Sequence, residues 1–216
     1  MSRKEHVKDL QSRHAQDILK RPLSDAYWLY ELKIELAGLQ RPNQCPLGVY
    51  ILPSVDKPRV WYGTIFIDAG FYSNGVFKSR ILVPPAYPYQ TPQIQFSTEM
   101  FHPLVDRQGY LNTLQRFPTW HPERNRIKQL LFYLRDIFEE STLDGIAPQA
   151  SKNDDAYRVY RKDRGVFGKL AQQCALLSIE ESIILENGPD DNLLRFGAAN
   201  GSSLKEIKKK FYAYRS

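Results

Sequence analysis

The 216-residue sequence predicts an α+β domain in which helices flank a four-stranded antiparallel sheet. Two observations predict this fold class. Apolar residues recur at helical spacing near both ends, and the middle holds four short segments rich in Val, Ile, Tyr and Phe. The connections between these segments carry Pro, Gly, Asn and Asp and are short, which favours an antiparallel meander because parallel strands need long crossovers.

The first predicted element is a helix that follows a basic extension over residues 1–21. Pro22 marks its approach, and Ser24 or Asp25 can cap a helix that runs to Leu39. Five apolar residues then share one helical face, which we expect to dock on a core. They are Trp28, Leu29, Leu32, Leu36 and Leu39.

Four strands are predicted next, at residues 47–53, 59–68, 75–85 and 93–97. The last connection contains a cluster of prolines, so it is expected to be extended and irregular, because proline cannot donate a ladder hydrogen bond. The cluster consists of Pro84, Pro85, Pro88 and Pro92.

Helices are predicted again in the second half of the chain. A broad apolar stripe predicts one over residues 127–141, and a second helical region follows over about 153–186. Gly165 and Gly168 interrupt that region, so it can form one helix or two. These elements place the boundaries of a single domain at residues 22–187.

The chain after this domain divides into two parts. Residues 188–202 are rich in Gly, Asn, Ser and Asp and are expected to form a linker. Residues 203–216 are expected to form a basic amphipathic helix, with a lysine cluster opposite one apolar face. The apolar face consists of Leu204, Ile207, Phe211 and Tyr214.

Composition limits the functional classes. The net charge of +6 is concentrated at the chain ends, where solvated basic tails are favoured over a dedicated binding patch. No stacking platform or recognised motif supports nucleic-acid binding. Two cysteines, Cys45 and Cys174, without a secretory signal or a membrane-length apolar run, favour a reduced, cytoplasmic protein; a nuclear location also fits.

Several ordered motifs resemble those of the ubiquitin-conjugating enzyme fold over about residues 23–186. The stretch YSNGVF, residues 72–77, resembles the Tyr-x-Gly-Gly-x-Phe entry to the third strand, and FHP, residues 101–103, resembles the start of the His-Pro-Asn motif. The resemblance implies that the matching residues define the fold. They are Trp61, Tyr72, Pro84, Tyr87, Pro88, Pro92, His102, Pro103, Gly109 and Trp120.

A narrower resemblance is to the fused-toes, or AKT-interacting protein, family of conjugating-enzyme variants that lack the catalytic cysteine. The segments GVYILPS, WYGTIFI, GVFKSRILVP and FHPLVD carry it. The last is the most specific, because it has Leu104 where an active enzyme has Asn.

The resemblance implies that two catalytic positions are vacated. Active members hold the modifier as a thioester on a cysteine that follows a turn glycine, and here Asn112 occupies that position. A carboxamide cannot form a thioester, and its expected role is to cap or bridge backbone groups. The oxyanion-stabilising Asn is replaced by Leu104, which has no side-chain donor.

No other residue is an evident substitute. Cys45 and Cys174 are expected to lie away from the groove, and Thr113 has no evident neighbouring base. His and Cys residues show no metal-ligand spacing, so neither a metal nor a cofactor is expected.

The leading functional hypothesis is therefore a non-catalytic scaffold. The resemblance implies protein partners of the Hook coiled-coil and FHIP types, in an assembly that links endosomal cargo to dynein, and hence an endosomal or microtubule association. Trp28 and the face at 203–216 are candidate contacts, the latter for a partner or an anionic membrane. The alternative is a variant that binds ubiquitin or supports an active conjugating enzyme, and a third hypothesis is a residual enzyme using Cys45 or Cys174.

Overall fold

A computed structural model of the chain describes residues 25–180 and 188–197. Four sets of predictions lie outside these residues: the extension 1–21, the cap Ser24, the end of the domain at 181–187, and everything after residue 197. The last set includes the amphipathic face at Leu204, Ile207, Phe211 and Tyr214.

The described elements follow the predicted order. Helix α1 (Asp25–Leu39) precedes an antiparallel sheet whose spatial order is β1-β2-β3-β4, so the predicted fold class is confirmed. The strands are β1 (Val49–Pro53), β2 (Val60–Phe66), β3 (Val76–Leu82) and β4 (Gln93–Phe96). The helices that follow are α2 (Ile127–Asp136), α3 (Glu140–Asp144), a 3-10 turn (Pro148–Ala150), α4 (Asp154–Lys162) and α5 (Arg164–Ser178).

The core lies between the helices and one face of the sheet. Because side chains alternate across a strand, Trp61 and Ile65 of β2 point to the same face as Phe77 and Ile81 of β3, and all four are buried. Trp61 also donates its indole N–H to the carbonyl of Pro58 at 3.0 Å, so its polar atom is satisfied. Burial of a large apolar side chain contributes roughly 1.5–3 kcal/mol, which makes this layer the main stabilising unit.

The helix predicted over 127–141 is shorter than its apolar stripe. Helix α2 ends at Asp136, Ile137 and Phe138 turn into the core, and Glu139 is extended with ψ of 139°. Burial of these two side chains overrides the helical periodicity, and the chain resumes as α3. The prediction of one continuous helix was wrong on this point.

The helical region predicted over 153–186 is divided at Asp163, not at its glycines. The Asp163 side chain accepts a hydrogen bond from the Val166 N–H and caps α5. Gly165 and Gly168 both lie inside α5. A Cβ at Gly168 would lie 3.2 Å from the Phe71 ring, so this glycine permits close packing of the helix on that ring.

Over residues 25–180 and 188–197, no helix has both the length and the apolar character that crossing a bilayer requires.

Candidate functional site

The site begins at His102, whose ring is fully buried beneath the loop that resembles the His-Pro motif. Nε2 lies 2.9 Å from the Ile137 carbonyl, and Nδ1 accepts a hydrogen bond from the Leu104 N–H at 3.0 Å. The ring therefore carries its proton on Nε2. Its centroid lies 5.7 Å from the centroid of the Tyr72 ring and 6.1 Å from that of the Phe138 ring. Burial lowers the pKa of His102 to about 4, so the neutral ring is a structural bridge.

This burial predicts a loss of stability in mild acid. Above pH 6.5 His102 is neutral in both states, and as the pH falls the unfolded chain takes up a proton that the folded chain refuses. The free energy of unfolding should fall by about 2 kcal/mol between pH 7 and pH 5 through this group alone. Urea unfolding of the wild type and of His102→Asn at both values measures the difference. An equal pH dependence in the two proteins would contradict the assignment.

Leu104 lies at the position where the resemblance expects the oxyanion-stabilising Asn. Its side chain is fully buried in the hydrophobic core, with 0% of its surface exposed. Its carbonyl accepts a hydrogen bond from the Asn112 N–H at 2.8 Å, so the two predicted positions are joined through the backbone. This position offers an apolar side chain directed into the core and no side-chain donor to a developing oxyanion.

Both the side chain and the backbone carbonyl of Asn112 form hydrogen bonds. Its Nδ2 donates to the Ala150 carbonyl at 2.7 Å, and its Oδ1 accepts from the Leu114 N–H at 2.9 Å. Its own carbonyl accepts from the Tyr133 hydroxyl at 2.8 Å, and 7% of the residue is exposed. The carboxamide thus bridges two loops, which is the backbone-bridging role expected of it.

A second set of hydrogen bonds joins residues 151–153 to the loop that contains Pro103. The Pro103 carbonyl accepts from the backbone N–H of Lys152 at 2.8 Å and of Asn153 at 3.2 Å, and from the Ser151 hydroxyl at 3.3 Å. The segment that contains the 3-10 turn 148–150 is therefore held by hydrogen bonds both to Pro103 and to the Asn112 side chain. No sequence pattern indicates this role of the segment, because Asn112 contacts the carbonyl of Ala150 and not its side chain.

Gly109 forms the turn between Leu104 and Asn112. Its φ is +84°, which favours glycine, and a Cβ there would lie 2.4 Å from the Phe96 carbonyl oxygen. The Phe96 N–H donates to the Gly109 carbonyl at 2.9 Å, so the turn lies directly against β4. The Asp106 carboxylate accepts from the N–H groups of Gln108 and Tyr110, at 2.9 and 2.8 Å, and closes the turn.

Two aromatic motif residues connect separate loops to this frame. The Tyr72 hydroxyl donates to the Phe101 carbonyl at 2.6 Å, directly before His102. The Trp120 indole N–H donates to the Pro88 carbonyl at 2.7 Å. Both rings therefore fix loop geometry and leave their polar atoms satisfied.

The proline-rich link is also anchored. The Tyr87 hydroxyl donates to the Glu35 carboxylate of α1 at 2.5 Å, and the Arg59 guanidinium donates to the Pro84 carbonyl at 2.9 Å. Pro92 is buried at the start of β4. These bonds join the link to α1 and to the β1–β2 loop.

The two cysteines lie in settings that disfavour the thiolate. Cys45 donates to the Val49 carbonyl at 3.4 Å, and Cys174 donates to the Glu99 carbonyl at 3.0 Å. Burial raises the pKa of both thiols, which disfavours the nucleophilic thiolate. Cys174 lines a cavity of about 920 Å³ between α5 and the segments 96–101 and 106–109.

Within the part of the chain that the structure describes, no group of three or more His, Cys, Asp or Glu side chains could hold a metal ion.

The exposed aromatic residues of α1 are Tyr27 and Tyr30, and not Trp28, which was the predicted partner contact. Trp28 is half-buried against the core, and the Arg59 guanidinium lies 3.9 Å from its ring centroid. Tyr27 and Tyr30 are 41% and 62% exposed, and Ile34 is 49% exposed. These three residues recur at i, i+3 and i+7 and form one exposed stripe on α1.

Comparison with known proteins agrees with this geometry. The family model described as ubiquitin-conjugating enzyme matches residues 31–175. A "Protein crossbronx homolog" from Anopheles gambiae is 31% identical over 189 residues, which cover 84% of this chain and 82% of that protein. An "AKT-interacting protein" from Danio rerio is 32% identical over 78% of this chain, and a "Protein AKTIP homolog" from Nematostella vectensis is 30% identical over 84%. The matched regions cover 56% and 59% of those two relatives, little more than half their length.

Proposed function

Because the chain belongs to the ubiquitin-conjugating enzyme family, with AKT-interacting and crossbronx proteins as its relatives, we propose that it is a non-catalytic scaffold. It keeps the conjugating-enzyme frame and presents that frame's surfaces to protein partners. The observation that carries this proposal is the bonding of Asn112, whose carboxamide bridges Ala150 and Leu114 in a buried position.

The second vacated position supports the same conclusion. Thioester chemistry needs both a thiolate and a donor for the tetrahedral oxyanion, and removal of one such donor alone typically costs about 10²–10³ in rate. Leu104 has no donor, and its side chain fills the core instead of the groove. Neither free cysteine replaces the nucleophile, because burial raises the pKa of each thiol.

The partners proposed are of the Hook coiled-coil and FHIP types, in a cytoplasmic assembly that links endosomal cargo to dynein. The name "AKT-interacting protein" describes relatives that bind another protein. The stripe at Tyr27, Tyr30 and Ile34 supports docking of a partner helix, since aromatic side chains at helical spacing are typical anchors for helix-in-groove contacts. The basic segment 203–216 is proposed as a second contact with a partner or an anionic membrane.

Affinity purification of the tagged full-length chain from cells, followed by mass spectrometry, tests this function. We expect the wild type to recover a Hook-type or an FHIP-type protein. The variant Tyr27→Ala/Tyr30→Ala should lower that recovery by about tenfold or more, because two anchors that each contribute more than about 1 kcal/mol together exceed the roughly 1.4 kcal/mol of a tenfold change. Recovery of the same partners by a chain without residues 203–216 is measured in the same experiment.

Leu47→Ala is the matched control, because Leu47 is 90% exposed and lies outside the stripe. Its recovery of partners should equal that of the wild type. Recovery of neither partner type by the wild type would contradict the proposed assembly. Recovery of ubiquitin or an active conjugating enzyme in their place would favour the alternative variant.

A further inference from the structure

The face of the sheet opposite the helices is covered by the chain's own residues 190–196, here called the strap. Alternation along β2 places Tyr62, Thr64 and Phe66 on this outer face. Tyr62 and Thr64 are only 8% and 4% exposed, although neither belongs to the hydrophobic core cluster. The strap was predicted as part of a linker, and the structure shows it in contact with the sheet.

One end of the strap is fixed by a buried carboxylate. Asp191 is 6% exposed, and its two carboxylate oxygens accept from the Ser54 hydroxyl at 2.6 Å and the Tyr62 hydroxyl at 2.9 Å. Its backbone carbonyl accepts from the Val55 N–H at 3.1 Å. The Ser54 hydrogen bond lowers the pKa of Asp191, so the carboxylate is charged at neutral pH. These contacts recognise a carboxylate and the backbone that carries it.

The other end of the strap is fixed by an aromatic ring. The Phe196 ring lies 6.1 Å from the Phe66 ring, and the Lys78 ammonium lies 5.9 Å from its centroid. Around this ring a cleft of about 210 Å³ is lined by Tyr50, Thr64, Phe66, Leu194, Arg195 and Phe196. Tyr50 and Phe66 remain 59% and 38% exposed, so this end is covered less completely than the Asp191 end.

The two ends together define a recognition pattern. The outer face supplies hydroxyl donors for a carboxylate, an edge N–H for a carbonyl, and an apolar and cationic surface for a ring five residues later. We propose that this face is a peptide-docking site for segments with an Asp followed five residues later by an aromatic residue, and that the strap occupies it in cis. The proposal does not depend on the scaffold function, since it concerns a different face and different residues.

The cis arrangement sets how such a site behaves. A tethered ligand acts at an effective concentration in the millimolar range, so it excludes a free peptide of equal intrinsic affinity. A partner segment of the same pattern therefore binds only when the strap is released. Loss of the Asp191 contacts should release it, because no other carboxylate of the strap is buried: Asp190 has a fully exposed side chain.

The first measurement is hydrogen exchange on the full chain. Asp191→Ala should speed exchange at the Val55 amide and across 190–197 by about tenfold or more, because these amides then open locally. Asp190→Ala is the matched control, since it removes a neighbouring exposed carboxylate, and it should change exchange less than about twofold. Unchanged exchange in Asp191→Ala would overturn the assigned anchor.

The second measurement uses the free peptide GPDDNLLRFG, residues 188–197, added to isotope-labelled full-length protein. NMR shifts at Tyr62 and Thr64 are expected in Asp191→Ala but not in the wild type, and a peptide carrying Asp191→Ala should give none. Release of the strap without peptide-induced shifts at millimolar concentration would overturn the docking site and leave the scaffold proposal untouched.

Discussion

Leu104→Asn, which introduces the residue that the resemblance to active conjugating enzymes expects at this position, is expected to lower the free energy of unfolding by about 4 kcal/mol. Leu104 has no exposed surface and belongs to the hydrophobic core. The substitution removes a buried apolar side chain and leaves a carboxamide among apolar groups, and each unsatisfied polar atom costs roughly 1–3 kcal/mol. Urea unfolding at pH 7, monitored by tryptophan fluorescence, measures the change.

Two control variants make this measurement specific. Leu114→Asn introduces the same side chain at a residue that is 63% exposed, and it should change stability by no more than about 0.5 kcal/mol. Leu104→Met conserves volume in the core and should cost less than about 1.5 kcal/mol. A loss below about 1 kcal/mol for Leu104→Asn would mean that the carboxamide finds partners, and the position would still fit an oxyanion donor.

Gly109→Ala is expected to lower the free energy of unfolding by about 3 kcal/mol or more. Alanine at φ of +84° is strained, and its Cβ would lie 2.4 Å from the Phe96 carbonyl oxygen, which is backbone and cannot rotate away. The turn must therefore move from β4, and the hydrogen bond from the Phe96 N–H to the Gly109 carbonyl is strained or lost. Chemical denaturation gives the stability, and hydrogen exchange at Phe96 reports the displaced turn.

Gly38→Ala is the matched control for this substitution. Gly38 lies in α1, and a Cβ there would meet no atom within 4 Å. The change should be neutral or stabilise by up to about 1 kcal/mol, because alanine favours the helix. If Gly109→Ala were as mild as Gly38→Ala, the close approach of the turn to β4 would be wrong.

Much of the fold was predictable because its signals are local. The four strands were found from β-branched and aromatic runs bounded by Pro and Gly, and the structure shortens each predicted segment by one to four residues at its ends. Helix α1 ends at Leu39, as its apolar spacing predicted. Helix α2 was overextended because Ile137 and Phe138 continue the apolar pattern while their burial ends the helix.

The site was predictable only in part. The resemblance to conjugating enzymes pointed to Asn112 and Leu104, but it could not indicate the bond from Asn112 to Ala150, which joins residues 38 positions apart. Asp191 is a typical turn residue in GPDDN, and its partners Ser54 and Tyr62 lie 137 and 129 residues away. Contacts of this separation have no periodicity or motif that a single sequence displays.

Which aromatic side chains of α1 are exposed was also not predictable from the sequence. Neighbouring helical positions point about 100° apart, so the sequence indicated that Tyr27, Trp28 and Tyr30 cannot all face the core. Which of them is exposed depends on the rotation of α1 against the sheet. The structure turns Trp28 toward the core and leaves Tyr27 and Tyr30 exposed.

The most direct measurement is ubiquitin charging of the full-length chain with activating enzyme and ATP, with an active conjugating enzyme as the positive control. We expect no reductant-sensitive adduct on the wild type, since Asn112 has no thiol and the thiols of Cys45 and Cys174 have raised pKa values. Asn112→Cys should also fail, because residue 112 is only 7% exposed and Leu104 has no side-chain donor for an oxyanion. A thioester on the wild-type chain, removed by reductant, would contradict the non-catalytic scaffold.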